Sequence, residues 1–436
     1  MSVKKLTSDI LKGAGILSLM LGMSVGMGGT GVAQDATAAP FTSTDAEEEG
    51  YWYSRYNLGN LSMRSGLGNV VTPDPKVIMA AMAAADADFD PAEFAKGNFD
   101  YGDGNHVKPP ANVAPISTVY KSGDPHYIAP FKAPDFGTQR WDPARMDTTL
   151  TGLANGYAIL KEVEWARQFH VDDHFGTPDS DFGAYWRFVG AIMTINAKLQ
   201  ARSFFSNMDG YDLSDGGAAV MLMAVSDLSD LLARDRQAHS EVPNRVKDPK
   251  VAQAMAGGAH KLFELVRDSN PMTIREKALT IQSLVWYAAR AADDAHKAAA
   301  LAKMHTVTHD LQGMSPGNAT EQAWYLRGLI EAKRTLGLND GSIRTVAAEF
   351  LDGFDMEKGG FANQDVYTID DVGTIIGTLN ALRIFETADV DGDAAEEVFR
   401  TFFEEVINKG GLQLSTPPLP IAKDPFEYEG EPPTYF

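Results

Sequence analysis

Over the last two-thirds of the chain apolar residues recur at three- and four-residue intervals, in segments that come in pairs. The first segment carries Leu150, Leu153, Tyr157, Leu160 and Val163 and runs to Phe169, with Asp147-Thr148-Thr149 as its capping start. Its partner covers about Phe182 to Phe205. Four further pairs follow, at 216–233 and 248–266, 273–292 and 294–311, 319–336 and 342–351, and 369–385 and 393–407. In the later pairs the first helix is the more apolar: Ile281, Leu284 and Val285 in one, Trp324, Leu329 and Ile330 in the next, Ile375, Ile376 and Leu379 in the last. Each has a small residue near its middle, Ala288, Gly328 or Gly377, which suits a helix enclosed on several sides. The second helices carry Glu349, Glu396, Glu397 and Glu404 and are expected to face solvent. Two pairs close on nearly the same residues, Lys358-Gly359-Gly360-Phe361 and Lys409-Gly410-Gly411-Leu412. A period of roughly 40 to 50 residues built from two helices predicts stacked hairpins.

The flanks read differently. Residues 34–146 form a Pro-, Gly- and aromatic-rich arm with little periodicity, interrupted by a short Ala-rich helix over Asp74 to Asp86. Aromatics such as Tyr51, Trp52, Tyr56 and Phe94 are too frequent for a disordered tail, so the arm is expected to dock on the hairpins. Residues 416–436 read as an extended, Pro-rich and acidic tail. At the other end Lys4, Lys5 and Lys12 precede an apolar run from Gly13 to Met27, followed by small residues with cleavage expected after Ala33 or Ala38. Positive, apolar, then small is the order of a secretory signal peptide, taken here as residues 1–33. The run falls short of the ~20 residues a spanning helix needs, so no permanent membrane span is expected after cleavage.

On the hairpin period and the Gly-Gly-Phe and Gly-Gly-Leu closures, residues 147–415 resemble the α/α toroid superfamily, which includes six-hairpin glycosidases, polysaccharide lyases and terpenoid cyclases. The resemblance implies an all-α fold: an α/α toroid of about five to six helical hairpins, with an irregular N-terminal arm and an extended C-terminal tail. Five hairpins are legible; a sixth would come from the arm, or the ring is open, as in an α-solenoid. No catalytic motif of these families is present, so the resemblance carries no catalytic residue.

Charge narrows the partners. Against 38 Lys and Arg stand 59 Asp and Glu, a formal net of −21, which repels phosphate backbones and argues against nucleic acid. Such acidity fits a saline habitat, and equally an ordinary exported protein in the periplasm or outside the cell. The absence of cysteine excludes disulfides, a lipobox anchor, thiolate zinc sites and cysteine-ligated clusters. No Gly-x-Ser-x-Gly elbow, phosphate loop or dinucleotide fingerprint appears in a strand–turn–helix setting.

Four constellations hold candidate chemistry. His170, Asp173 and His174 place two imidazoles and a carboxylate at helical spacing, suited to zinc, manganese or copper or to general-base work, or else to a solvated helix end. His305 and His309, beside Met304, repeat the spacing on an outer helix, where a surface pair is the simpler expectation. The loops Asp209 to Gly216 and Asp389 to Asp393 space carboxylates as calcium ligands do, and equally as turns and caps, with Asp393 expected to cap the final helix. The last constellation is the loop after the fourth hairpin. In a closed ring it would line one rim or mouth together with Trp324 and Tyr325 of the preceding inner helix: Asp355, Glu357, Asp370 and Asp371 are candidate acid–base residues, and Trp324, Tyr325, Phe361, Asn363 and Tyr367 candidate substrate contacts. The glycines between them supply turn geometry. The expectation is an exported soluble hydrolase or lyase acting on a glycan or other polar substrate. The alternative is a non-catalytic periplasmic or cell-surface binding or scaffold protein, with a divalent metal as the one implied cofactor.

Overall fold

The computed structural model describes residues 40–47, 49–50, 54, 58, 67–70, 76, 99–100, 106–107, 116–123, 125–127, 139–141, 143–171, 181–236, 244, 246–291, 293–337, 341–384 and 391–410. Five helical hairpins dominate: α1 (Gly152–Val171) with α2 (Asp181–Ser206), α3 (Gly217–Ala233) with α4 (Pro249–Asp268), α5 (Ile274–Arg290) with α6 (Asp294–Gln312), α7 (Ala319–Leu336) with α8 (Gly341–Asp352), and α9 (Ile369–Ile384) with α10 (Gly392–Phe402). Local chemistry sets their starts. Asp248, Asp293, Asn318 and Asp391 each accept a backbone N–H two or three residues into the helix that follows, and Thr273 with Glu276 forms a reciprocal capping box. The last cap is Asp391, not the expected Asp393: Asp391 Oδ1 accepts from Ala394 N at 3.1 Å, which leaves Asp393 inside the first turn. Beyond α10 the chain winds one π-helical turn over Phe403–Asn408.

The odd-numbered helices pack side by side in chain order, α1 on α3, α3 on α5, α5 on α7, α7 on α9, and each is backed by its even-numbered partner. The inner helices are therefore covered on several sides. In α3 the whole run from Ala219 to Leu228 is buried, along with Leu231 and Leu232. The outer helices anchor through one face: Phe204, Phe263, Phe350 and Phe402, from α2, α4, α8 and α10, are fully buried. Burying such a ring contributes roughly 1.5–3 kcal/mol each relative to exposure. This is the all-α, two-layered hairpin fold the periodicity predicts.

The arm contains more strand than expected. Strands β1 (Gly68–Val70), β4 (Ile116–Ser122) and β7 (Asp147–Leu150) form an antiparallel sheet in the order β1-β4-β7, and the short strands β2 (Phe99–Asp100) with β3 (His106–Val107) and β5 (Pro125–Tyr127) with β6 (Gln139–Trp141) form two further pairs. Asp147-Thr148-Thr149 is thus a strand and not the start of α1. Leu150 pairs with Tyr120 across the sheet, and the β-branched threonines suit that pleat. Asn155 of α1 fastens the sheet: its Oδ1 accepts from Val119 N at 2.8 Å and its Nδ2 donates to Val119 O at 2.9 Å.

The start of the described chain lies on the last hairpin. Ser43 Oγ donates to Glu396 Oε1 at 2.8 Å, Asn408 Nδ2 donates to Glu49 Oε2 at 2.6 Å, Arg383 pairs with Glu47, and Phe41 stacks on Phe403 at 6.1 Å. β4 packs on α1 and α2, so the described parts of the arm touch both the fifth hairpin and the first. Of the expected helix over Asp74 to Asp86 only Lys76 is described, and it is helical. The signal segment 1–33 and the tail 416–436 lie outside the described residues. Among the described residues no helix is long and apolar enough to cross a membrane.

Candidate functional site

The first Lys-Gly-Gly closure is a two-stranded turn, β8 (Phe354–Asp355) against β9 (Gly360–Phe361). Asp355 Oδ1 accepts from Glu357 N at 3.0 Å and Lys358 N at 3.1 Å, and Lys358 Nζ lies 3.3 Å from its other oxygen. The backbone bond from Lys358 leads in holding this carboxyl below the ordinary range, against slight desolvation and with help from the Lys358 ammonium and Glu357 N–H. Gly359 takes φ +66°, and a Cβ there would sit 2.3 Å from Glu405 Cγ, so turn and neighbour both require glycine. Glu357 is exposed at the tip. Phe361 is 3% exposed and stacks on Phe350 at 4.7 Å, with Phe354 edge-on at 5.2 Å. Tyr367 turns its ring edge to Phe402 at 5.5 Å, and its hydroxyl accepts from Phe361 N at 2.7 Å; burial raises that hydroxyl's pKa. These residues fill the space between α8 and α10.

Asp370 and Asp371 stand elsewhere, at the start of α9. Asp371 Oδ2 accepts from Thr368 N and Thr368 Oγ1, both at 2.7 Å, and Thr368 Oγ1 accepts from Asp371 N at 3.2 Å. Partial burial pushes this carboxyl up, but the Thr368 bonds prevail and lower it. Asp370 Oδ2 lies 3.1 Å from Arg275 Nη2, and the Arg275 guanidinium lies 5.7 Å from the Trp324 ring centre. Gln364 Oε1 accepts from Thr320 N at 3.0 Å, and Asn363 Nδ2 lies 3.5 Å from Gln322 Oε1, which ties the loop after β9 to the start of α7. Trp324 is 5% exposed and Tyr325 3%, so both rings are largely core. The structure therefore gathers Asp370, Asp371, Asn363 and Trp324 at the N-terminal ends of the inner helices, and sets Asp355, Glu357, Phe361 and Tyr367 apart from them.

Arg275 of α5 joins this group, though the sequence did not single it out as a site residue. Burial pushes the Tyr157 hydroxyl up to about 12, and the charges of Arg275, Asp370 and Arg327 all reach it. Arg327 lies against Gly377 of α9, where a Cβ would approach its Nη1 to 2.6 Å. Spacing gives no hint of this place for Arg275, because its partners lie at 324 and 370 and arginine on a helix ordinarily faces water.

At the opposite, C-terminal ends of the inner helices lies a second charged cluster. Arg167 Nη2 is 2.5 Å from Asp227 and 3.1 Å from Asp230; Arg290 Nη2 is 2.9 Å from Asp227; Arg234 Nε is 2.8 Å from Asp230. Here every charge has an opposite partner, and the cluster joins α1, α3 and α5.

The metal candidates divide as follows. His170 stands in the last described turn of α1, and Asp173 and His174 lie outside the described residues. His309 is 90% exposed and His305 is exposed, while Met304 is core and does not face them. In the Asp209 loop, Asp212 Oδ1 accepts from Ser214 N at 2.9 Å as a turn does. His260 finds partners the sequence did not show: its Nδ1 lies 3.0 Å from the Tyr287 hydroxyl, and its ring centre 4.2 Å from that of His296. Among the described residues no group of three or more His, Asp or Glu is placed to hold a metal ion. Comparison with protein-family models, curated proteins and solved structures finds no match to this chain.

Proposed function

We propose that the protein is an exported α/α toroid that receives a polar, carbohydrate-like ligand at the N-terminal mouth of its inner helices and acts on it as a lyase or hydrolase. The observation that carries this reading is the Arg275–Asp370 pair at 3.1 Å with the Trp324 ring centre 5.7 Å from the guanidinium, which joins α5, α7 and α9. The charges of both ions reach the Tyr157 hydroxyl of α1. Hydroxyl, guanidinium and carboxylate beside an indole suit a ligand that is polar at its edges and apolar on its faces, as a sugar ring is. Export is supported by the order of Lys4, Lys5 and Lys12, the apolar run and the small residues after it.

In this reading Asp370 exchanges the proton, Arg275 fixes the direction of its carboxylate, and Tyr157 donates to the ligand. Hydrolysis by a carboxylate pair calls for a second acid about 5–10 Å away. Asp371 is held by both donors of Thr368, so chemistry with one proton-transfer group suits these residues better than a pair does. The same engagement of Asp371 favours a second reading, a glycan-binding protein without turnover. The test is oligosaccharide binding and turnover by the wild type and by Asp370→Asn and Tyr157→Phe. Loss of a general acid or base is expected to slow turnover about 10²-fold or more, with the helical circular dichroism unchanged. Variants that bind and turn over as the wild type does would remove the mouth from consideration. Binding without turnover in the wild type would select the binding-protein reading.

A further inference from the structure

His260 of α4 and His296 of α6 bring two imidazoles together from different hairpins. Their ring centres lie 4.2 Å apart at an interplanar angle of 49°, and each side chain is 36% exposed, so solvent and ions reach both. The whole of α5 lies between them in the chain, so no spacing in the sequence announces the pair.

Each ring is fixed through its Nδ1. His296 Nδ1 lies 2.9 Å from Asp293 Oδ2, while the other oxygen of Asp293 accepts from His296 N at 2.8 Å and caps α6. His260 Nδ1 lies 3.0 Å from the Tyr287 hydroxyl, whose ring is 5% exposed and stacked on Phe263 at 4.4 Å. A neutral imidazole that donates from Nδ1, to a carboxylate in one case and a phenol oxygen in the other, keeps its lone pair on Nε2. Metal-ligating histidine has this arrangement, in which the outer hydrogen bond sets the tautomer and the direction of the ring. Both Nε2 atoms are uncommitted. His260 Nε2 has Glu264 Oε1 at 3.9 Å, beyond hydrogen-bond range, and His296 Nε2 has no partner among the described residues. Asp293 and Glu264 add negative charge beside the two rings, which favours a cation there.

We infer that His260 and His296 together bind one divalent transition-metal ion, zinc or copper(II), through their Nε2 atoms, with water completing its shell. Imidazole suits both ions, whereas magnesium and calcium prefer oxygen. The pair stays below three protein ligands, so the site is open to solvent, unlike the closed four-ligand shell of a structural zinc. An ion held there ties α4 to the start of α6, and so the second hairpin to the third, in a chain without cysteine to cross-link them. The site stands beside the C-terminal end of α5, opposite the inner-helix mouth, and does not depend on the function proposed there.

The experiment titrates the full chain with zinc, copper(II) and magnesium by calorimetry and records the electron paramagnetic resonance spectrum of the copper form. Copper(II) should bind more tightly than zinc, and magnesium should not compete. The spectrum should show nitrogen splitting from both imidazoles. His260→Gln and His296→Gln should each weaken the tightest phase at least as much as loss of an outer partner does, about 10- to 100-fold, and each should simplify the splitting. Asp293→Asn, which keeps a good cap but removes the charge behind His296, should weaken it within that range. The exposed pair offers a control: His305→Ala with His309→Ala should leave the tightest phase unchanged. Circular dichroism without metal confirms that each variant folds. Absence of zinc and copper binding, a copper spectrum without nitrogen splitting, or a tightest phase that survives in either histidine variant would overturn the inference. So would its loss in the His305, His309 variant, which would assign the ion to that surface pair.

Discussion

Asp227 of α3 accepts from the Arg167 guanidinium of α1 at 2.5 Å while only 2% exposed. Arg290 of α5 reaches the same oxygen at 2.9 Å, so one carboxylate ties three adjacent inner helices at their C-terminal ends. Burial pushes this carboxyl above the usual range, against the opposing pull of the two arginines. Replacing Asp227 by Ala leaves two guanidiniums without their shared acceptor, and removal of one member of a buried pair costs about 3–5 kcal/mol. Denaturant unfolding should show that loss as a lower midpoint, with Asp227→Asn intermediate. A midpoint shifted by no more than a surface substitution would show that the three helices do not depend on this carboxylate.

Acid should loosen the inner helices through their caps. Burial pulls Glu276 and Asp371 up, but bonds from Thr273 and Met272 to the one, and from Thr368 to the other, lower both below ordinary values. A carboxyl depressed in the folded state adds stability that is present above its unfolded pKa and lost as pH falls through the folded one. The window therefore opens below about pH 4, where unperturbed Asp and Glu titrate. Melting temperature recorded from pH 6 to pH 2 should fall across that window, and less steeply in a Glu276→Gln, Asp371→Asn variant. An identical slope in the variant would exonerate the caps.

Gly359 and Gly337 separate strain from crowding. Both take positive φ, +66° and +68°, but a Cβ at Gly337 meets nothing within 4 Å whereas one at Gly359 meets Glu405. Left-handed backbone at a non-glycine residue costs roughly 1–2 kcal/mol. Gly337→Ala should lose about that much in chemical denaturation, and Gly359→Ala measurably more. Equal losses would mean that Glu405 moves aside freely.

Asn155 gives a direct reading of how the arm is held. Asn155→Ala strands Val119 N–H and C=O, each otherwise buried against α1, and leaving a buried polar group unpaired costs about 1–3 kcal/mol. Hydrogen exchange should rise first in β4 and then in β7. Unchanged protection in β4 would show that the strand is held by its sheet neighbours alone.

The hairpins were legible because their causes are local. Thr273 and Glu276 announce the start of α5 within four residues, and the spacing of Ile281, Leu284 and Ala288 announces its buried face. Where the sequence misled, the deciding partner was distant: the strand over Asp147 to Leu150 exists because Tyr120 and Ser122 pair with it. The choice between Asp391 and Asp393 as cap turned on where the last helix begins, which periodicity places only to within a turn. Phe361 and Tyr367 resembled rim aromatics because they follow a Gly-Gly turn, yet Phe350 and Phe402 enclose them from helices 11 residues earlier and 35 later.

By itself the sequence determined the number of hairpins, which helix of each is inner, and the acidity of the surface, since periodicity, capping and charge act between near neighbours. Only the tertiary structure decided which side chains of different hairpins meet. Asp355 was set apart because its own oxygen satisfies the turn that carries it. Arg275, Trp324 and Asp370 became one group because three inner helices far apart in the chain, α5, α7 and α9, bring them together. Sequence spacing encodes the face of a single helix, and a contact among three is defined only when they pack.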